Sequence, residues 1–309
     1  MRSLVTGAAG HLGSFLTRRL LDEGFEVSAL VRPQSDLWRL ADVLERINLI
    51  RAELSDIGAA APAIARGRPE AVFHLAWQGV AGVFRNDPEQ LTSNITGTLG
   101  LFEIARSAGC SLWAGMGSQA EYGAQGGILT EETPLNPQTA YGTAKLCAGL
   151  LTRKLCELAG VRYVWLRLLA TYGPQDDEGH LIPSVIRSLL AGERPLLTSG
   201  EQRWDYLYVE DAAEAIYRVA VAANAGGVFN LSSGEAHTVR AIAERIRDLI
   251  DPAAGLGFGE IPAPPGQVTH LQADIGKLRA ATAWAPQTSL DEGLRRTVEW
   301  SRSAVGAKR

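Results

Sequence analysis

The feature that most constrains this chain is the run Thr6-Gly7-Ala8-Ala9-Gly10-His11-Leu12-Gly13, set between an apolar Leu4-Val5 pair and a helical pattern through Phe15, Leu16, Leu20 and Leu21. Strand, glycine turn and helix start in that order bring backbone N–H groups and a helix N-terminus to one point, the arrangement that holds a pyrophosphate. Glycine-rich turns also occur without a ligand, so the run needs a second signal. That signal is Tyr141-Gly142-Thr143-Ala144-Lys145. Its tyrosine and lysine stand four apart and share one face of a helix. Alone, such a pair reads as a surface lysine beside a half-buried tyrosine. Following a fifth strand-helix unit, downstream of the glycine turn, it reads as a proton-transfer device, and the two signals together point to a nicotinamide enzyme.

The intervening chain alternates apolar runs with amphipathic ones. Leu4-Val5, Val27 to Val31, Leu49-Ile50, Ala71 to Leu75, Leu112-Trp113 and Tyr163 to Leu168 read as strands, and Leu12 to Leu21 and Leu91 to Ala105 as helices. Such alternation predicts an α/β fold with a parallel, doubly wound sheet. After Pro174 the pattern turns irregular, and Pro183, Pro195, Pro252, Pro262, Pro264, Pro265 and Pro286 interrupt short helices, as in a smaller lobe built from excursions of the chain.

Composition narrows the function class. A formal net charge of -4 gives no broad basic field for nucleic acid. Cys110, Cys147 and Cys156 form no CxxC pair, so neither a disulfide framework nor a metal site is expected. No stretch runs long enough without charge to span a membrane, and a cytoplasmic enzyme is expected.

Further segments carry a family resemblance: His74-Leu75-Ala76; Asn94 with Gly97-Thr98; Gly117-Ser118 ahead of Tyr122-Gly123; Arg167 through Tyr172-Gly173-Pro174; and Trp204 to Asp211. With these in order, the chain resembles the extended short-chain dehydrogenase/reductases of the sugar-nucleotide epimerase, dehydratase and reductase group. The resemblance implies a doubly wound parallel Rossmann sheet over residues 1–170, rejoined at about 205–235. A smaller, interleaved C-terminal substrate lobe would comprise 171–204 and 236–309. It implies cofactor contacts at Gly7, Ala9, Gly10, His11, Leu12, Gly13, Leu54, Leu75, Ala76, Leu168, Tyr141 and Lys145. Tyr141 would exchange a proton with the substrate oxygen, Ser118 would hydrogen-bond that oxygen, and positive charge at Lys145 would favour the phenolate. The helices at Asn94 to Arg106 and Ala140 to Glu157 resemble a four-helix dimer contact, so a homodimer is expected.

The end of the second strand bears on cofactor type. An acid there selects NAD and a cation suits the 2'-phosphate of NADP. Here Val31 is followed by Arg32, which favours NADP(H) and leaves NAD(H) open, since Arg32 can also be a solvated loop residue. Substrate contacts are expected from Trp77, Gln119, Thr171 and Arg203. Gln78 and Arg85 share Trp77's loop and are placed to line the sugar pocket with it, and core packing is an equal reading of Trp77. Near Gly266-Gln267-Val268-Thr269-His270 the family's diphosphate-holding arginine is not evident.

The residues after Ser118 decide the reaction class. Family dehydratases carry an Asp-Glu pair there, whereas this chain has Gln119-Ala120, and Glu121 is expected on the far side of an extended segment. Two reactions need only Ser118, Tyr141, Lys145 and nicotinamide. One is NADPH-dependent reduction of a nucleotide-linked 4-keto-6-deoxyhexose, favoured by Arg32; the other is 4-epimerisation with bound NAD. A non-catalytic dinucleotide-binding sensor is a third reading.

Overall fold

The apolar runs of the first half become strands β1 (Arg2–Thr6), β2 (Glu26–Val31), β3 (Ile47–Arg51), β4 (Ala71–His74), β5 (Leu112–Ser118) and β6 (Arg162–Leu168) in the computed structural model, which describes residues 1–80, 82–263 and 268–307. Between them lie α1 (His11–Asp22), α2 (Ala61–Gly67), α3 (Glu89–Ser107) and α4 (Ala140–Ala159). Beyond them come β7 (Ala170–Tyr172), α5 (Leu181–Leu190), β8 (Leu196–Leu197), β9 (Arg203–Tyr208), α6 (Val209–Val221), β10 (Gly227–Leu231), β11 (Ala236–Thr238), α7 (Val239–Ile250), β12 (Gly257–Phe258), β13 (His270–Leu271), α8 (Gly276–Thr282) and α9 (Leu290–Ala307).

Among the described residues, seven strands form the main sheet in the order β10-β6-β5-β4-β1-β2-β3, every neighbouring pair parallel. The order reverses between β1 and β4, and that reversal opens a crevice at the strands' C-terminal ends. Alternation along each strand splits the core. Val5, Phe73 and Leu166 pack with α1 and α6 through Leu16 and Val219, whereas Leu4, Val72 and Trp113 pack with α3 through Leu101 and Phe102.

A second sheet is centred on β9, which pairs with β7 and β13 in parallel and with β11 antiparallel. Ile182, Val185 and Leu189 of α5, Ile242 and Ile246 of α7, and Leu294 and Val298 of α9 build its own apolar core around Tyr172 and Tyr208. The chain rejoins the main sheet at α6 and β10, later than position 205, because β9 belongs to this second sheet. It touches the main core again at α8, where Ile275, Leu278 and Trp284 are buried with Phe229. Pro264, Pro265, Gly266 and Gln267 lie outside the described residues.

Candidate active site

The glycine turn closes as β1 ends. Gly7 has φ +69°, and a Cβ there would stand 2.9 Å from the Ala76 nitrogen. At Gly13 a Cβ would come within 2.1 Å of the Gly7 carbonyl oxygen. Any larger residue would fill the cradle or push α1 off the strand. Gly10 begins α1 without a side-chain cap, so the N–H groups of the first turn stay available to an anion. Behind the cradle, Thr6 Oγ1 accepts from the Ala76 N–H at 3.1 Å and lies 2.9 Å from His74 Nδ1, while His74 Nε2 lies 2.9 Å from Thr98 Oγ1. Burial, with Lys145 nearby, pulls the His74 pKa down to about 3, so this histidine is a neutral strut. His11 joins the cradle to the second lobe, with Nε2 3.1 Å from the Pro174 carbonyl oxygen and Nδ1 3.3 Å from Asp176.

Across the crevice, Thr139 caps α4 by accepting the Gly142 N–H at 3.1 Å, which puts Tyr141 in the first turn and Lys145 one turn on. Both face β5. Lys145 Nζ donates to the Met116 carbonyl at 2.8 Å and lies 3.8 Å from the centre of the Trp77 ring. Trp77 in turn meets the Tyr141 ring edge to face. Burial lowers the Lys145 pKa to about 7, against the opposing charge of Glu121. Burial raises that of Tyr141, countered by a hydrogen bond with Ser118 and by the charge of Arg85.

Ser118 ends β5 and caps a single 3₁₀ turn, Gln119 to Glu121. The turn overrides the extended segment expected there and folds Glu121 back into the core. Its Oε1 accepts from the Ser118 N–H and Trp165 Nε1, each at 2.9 Å, and its Oε2 accepts from Arg167 Nε at 2.9 Å. Arg167 also donates to the Tyr122 hydroxyl at 3.1 Å, and that hydroxyl donates to Asn230 at 2.6 Å. Glu121 is thus a buried anchor for Ser118, with both carboxylate oxygens engaged. An arginine in the apolar run Val164-Trp165-Leu166-Arg167 was the available sequence signal, since a buried guanidinium requires an acid partner.

A cavity of about 790 Å³ runs from the glycine cradle into the second lobe. Of the residues expected at the site, Gly7, Gly10, His11, Leu12, Gly13, Leu75, Trp77, Ser118, Gln119, Tyr141, Lys145, Leu168 and Thr171 line it. Ala76 backs Gly7, Ala9 lies within the turn, and Leu54, three residues beyond β3, packs under Gly97, all three outside the lining. Arg203 also lies outside it and donates instead to the Ala236 carbonyl at 2.9 Å. Alternation along β9 turns the neighbouring Trp204 to the cavity, stacked on Tyr206. Arg32 is exposed at the end of β2, on a separate recess of about 360 Å³ with Gln78, Gly79 and Asn94. Asn94 holds that recess by accepting the Gln78 N–H at 2.8 Å and donating to its carbonyl at 3.1 Å. Arg85, expected with Trp77 and Gln78 as a pocket-lining residue, lines the main cavity beside Tyr141.

Residues 3–232 match the NAD dependent epimerase/dehydratase family. The chain is 29% identical to a UDP-glucose 4-epimerase of Mycolicibacterium smegmatis, covering 98% of this chain and 99% of that one. It is 29% identical to dTDP-glucose 4,6-dehydratase 1 of Escherichia coli, over 97% of this chain and 92% of the relative. The structure superposes on a Thermus thermophilus UDP-glucose 4-epimerase in complex with NAD with a TM-score of 0.88, at 28% identity, covering 98% of this chain and all of the other.

Proposed function

The chain belongs to the NAD dependent epimerase/dehydratase family, and we propose that within it this protein reduces the 4-keto group of a nucleotide-linked 4-keto-6-deoxyhexose with NADPH. One observation carries the choice of reaction. The turn after Ser118 offers Gln119 to the cavity, has the side chain of an alanine at position 120, and commits its one acid, Glu121, to Arg167 and Trp165. A dehydratase needs an additional acid-base pair at this point, whereas reduction needs a single proton donor.

The cradle left by Gly7 and Gly13, with the uncapped start of α1, fits a dinucleotide pyrophosphate. When bound there, a nicotinamide cofactor supplies hydride chemistry. Tyr141 gives its hydroxyl proton to the oxygen that becomes the 4-hydroxyl. Ser118, fixed through Glu121, positions that oxygen. Lys145 lies beside Tyr141 on α4, anchored on the Met116 carbonyl and covered by Trp77. Arg32 supports NADPH, because its exposed guanidinium has no ion-pair partner among the described residues and is available to a 2'-phosphate. Among the described residues, no lysine or arginine lines the second-lobe half of the cavity. A substrate diphosphate would rest on the start of α5, where His180 and Leu181 line the cavity and no side chain caps the helix. Leu150, Leu151 and Leu158 are exposed on α4 beside α3 and suit a homodimer contact.

The runner-up is 4-epimerisation with retained NAD, favoured by the named activity of the Mycolicibacterium relative. A panel of nucleotide-linked 4-keto-6-deoxy sugars with NADPH and NADH tests both. Loss of nicotinamide absorbance with at least one keto sugar is expected. Interconversion of UDP-hexoses without net cofactor use would favour the epimerase, and dehydration of dTDP-glucose, UDP-glucose or CDP-glucose would overturn the proposal.

A further inference from the structure

We propose that Arg85 is a second cation of the proton-transfer centre, a positioning residue whose charge stabilises the Tyr141 phenolate. The proposal rests on the reading of Tyr141 as the proton donor. Four observations carry it. The Arg85 guanidinium carbon stands 5.4 Å from the centre of the Tyr141 ring, closer than Lys145 Nζ at 5.9 Å. The loop bearing Arg85 is stapled to the start of α4, since the Tyr141 N–H donates to the Arg85 carbonyl at 2.8 Å and the Ala140 N–H to Asn86 Oδ1 at 3.2 Å. Arg85 lines the cavity, and its Nε is buried without a hydrogen-bond partner among the described residues. Finally, the Lys145 ammonium is already committed to the Met116 carbonyl and the Trp77 face.

The charged and titratable groups around Tyr141 divide by sign. Lys145 faces it from the next turn of α4, Arg85 from the loop ahead of α3, and Glu121 from the turn after β5, while His74 stands neutral behind Lys145. Burial leaves Lys145 only partly charged in the neutral range, whereas a guanidinium keeps its charge throughout. When Tyr141 releases its proton the phenolate forms next to Arg85, and recovering a proton from solvent restores the hydroxyl. Arg85 exchanges no proton itself. A unit charge at this separation moves a phenol pKa by about 0.5 unit in a water-like dielectric and by about 2 units at an effective dielectric of about 20.

The test is substrate-free, so it stands apart from the identity of the sugar. Phenolate absorbance of the full chain is titrated against pH, and the Tyr141→Phe titration is subtracted to isolate Tyr141. Arg85→Gln is expected to raise the Tyr141 midpoint by about 0.5 to 2 pH units, while Arg85→Lys, which keeps the charge, stays near the unsubstituted value. Because the side chain makes no hydrogen bond among the described residues, thermal melting should be unchanged in both variants, and Arg85→Met provides a second uncharged replacement. An unmoved midpoint in Arg85→Gln and Arg85→Met overturns the proposal, as does an equal shift in Arg85→Lys. A moved midpoint in a protein that reduces no nucleotide-linked keto sugar would refute the function proposed above and leave this inference standing.

Discussion

Lys145 should make the stability of this protein rise with pH through the neutral and mildly alkaline range. Its ammonium is buried, and burial brings its pKa to about 7 in the folded chain, against about 10.4 for an unfolded lysine. Between these values the unfolded chain holds a proton that the folded chain has released. Stability therefore increases with pH, by up to about 1.4 kcal/mol per pH unit, and this contribution is lost as pH falls through about 7. From about pH 6 to about pH 9 the gain amounts to about 2.5 kcal/mol. Lys145→Met carries no titrating group, so subtracting its stability at each pH removes every other ionisation in common. Urea unfolding of both proteins at matched ionic strength supplies the comparison. The unsubstituted chain should gain on the variant across that window. A flat difference would mean that the ammonium stays solvated, and a difference of opposite sign would mean that a carboxylate pairs with it.

Other expectations follow from the same geometry. Tyr141→Phe should lose turnover by at least about 100-fold, the scale of one general acid, while binding NADPH as before by isothermal titration; full activity would assign the proton elsewhere. Arg32→Asp should invert the preference between NADPH and NADH in steady-state kinetics, and equal catalytic efficiency with both in the unsubstituted protein would count against a 2'-phosphate site. Glu121→Ala strands Arg167 in the core and should cost about 3–5 kcal/mol in urea unfolding, with reduced turnover because Ser118 loses its anchor; a loss below about 1 kcal/mol would contradict the buried pair. Gly13→Ala places a methyl against the Gly7 carbonyl and should cost about 1–3 kcal/mol and abolish dinucleotide binding; retained binding would show that the cradle can relax.

What the sequence determined by itself was local in origin. Strand, glycine turn and helix at Leu4 to Leu21 are set by hydrophobic period and by backbone conformations that only glycine supplies at Gly7. The four-residue step from Tyr141 to Lys145 fixes a common helix face before any tertiary contact forms. The alternation of strands and helices likewise made the parallel sheet legible, since that connectivity has few packed solutions. Tertiary structure decided everything that depends on which groups meet across long separations. Glu121 became an anchor because Arg167 and Trp165 reach it from β6, a pairing that period and propensity do not encode. Trp204, and not Arg203, faces the cavity because the register of β9 against β7, β11 and β13 selects one side of the strand. Arg85 came to Tyr141 through a backbone hydrogen bond between a loop and a helix start more than fifty residues apart in sequence. Charge at the centre was decided in the same way, because a lysine's pKa follows from the burial that only the packed chain creates.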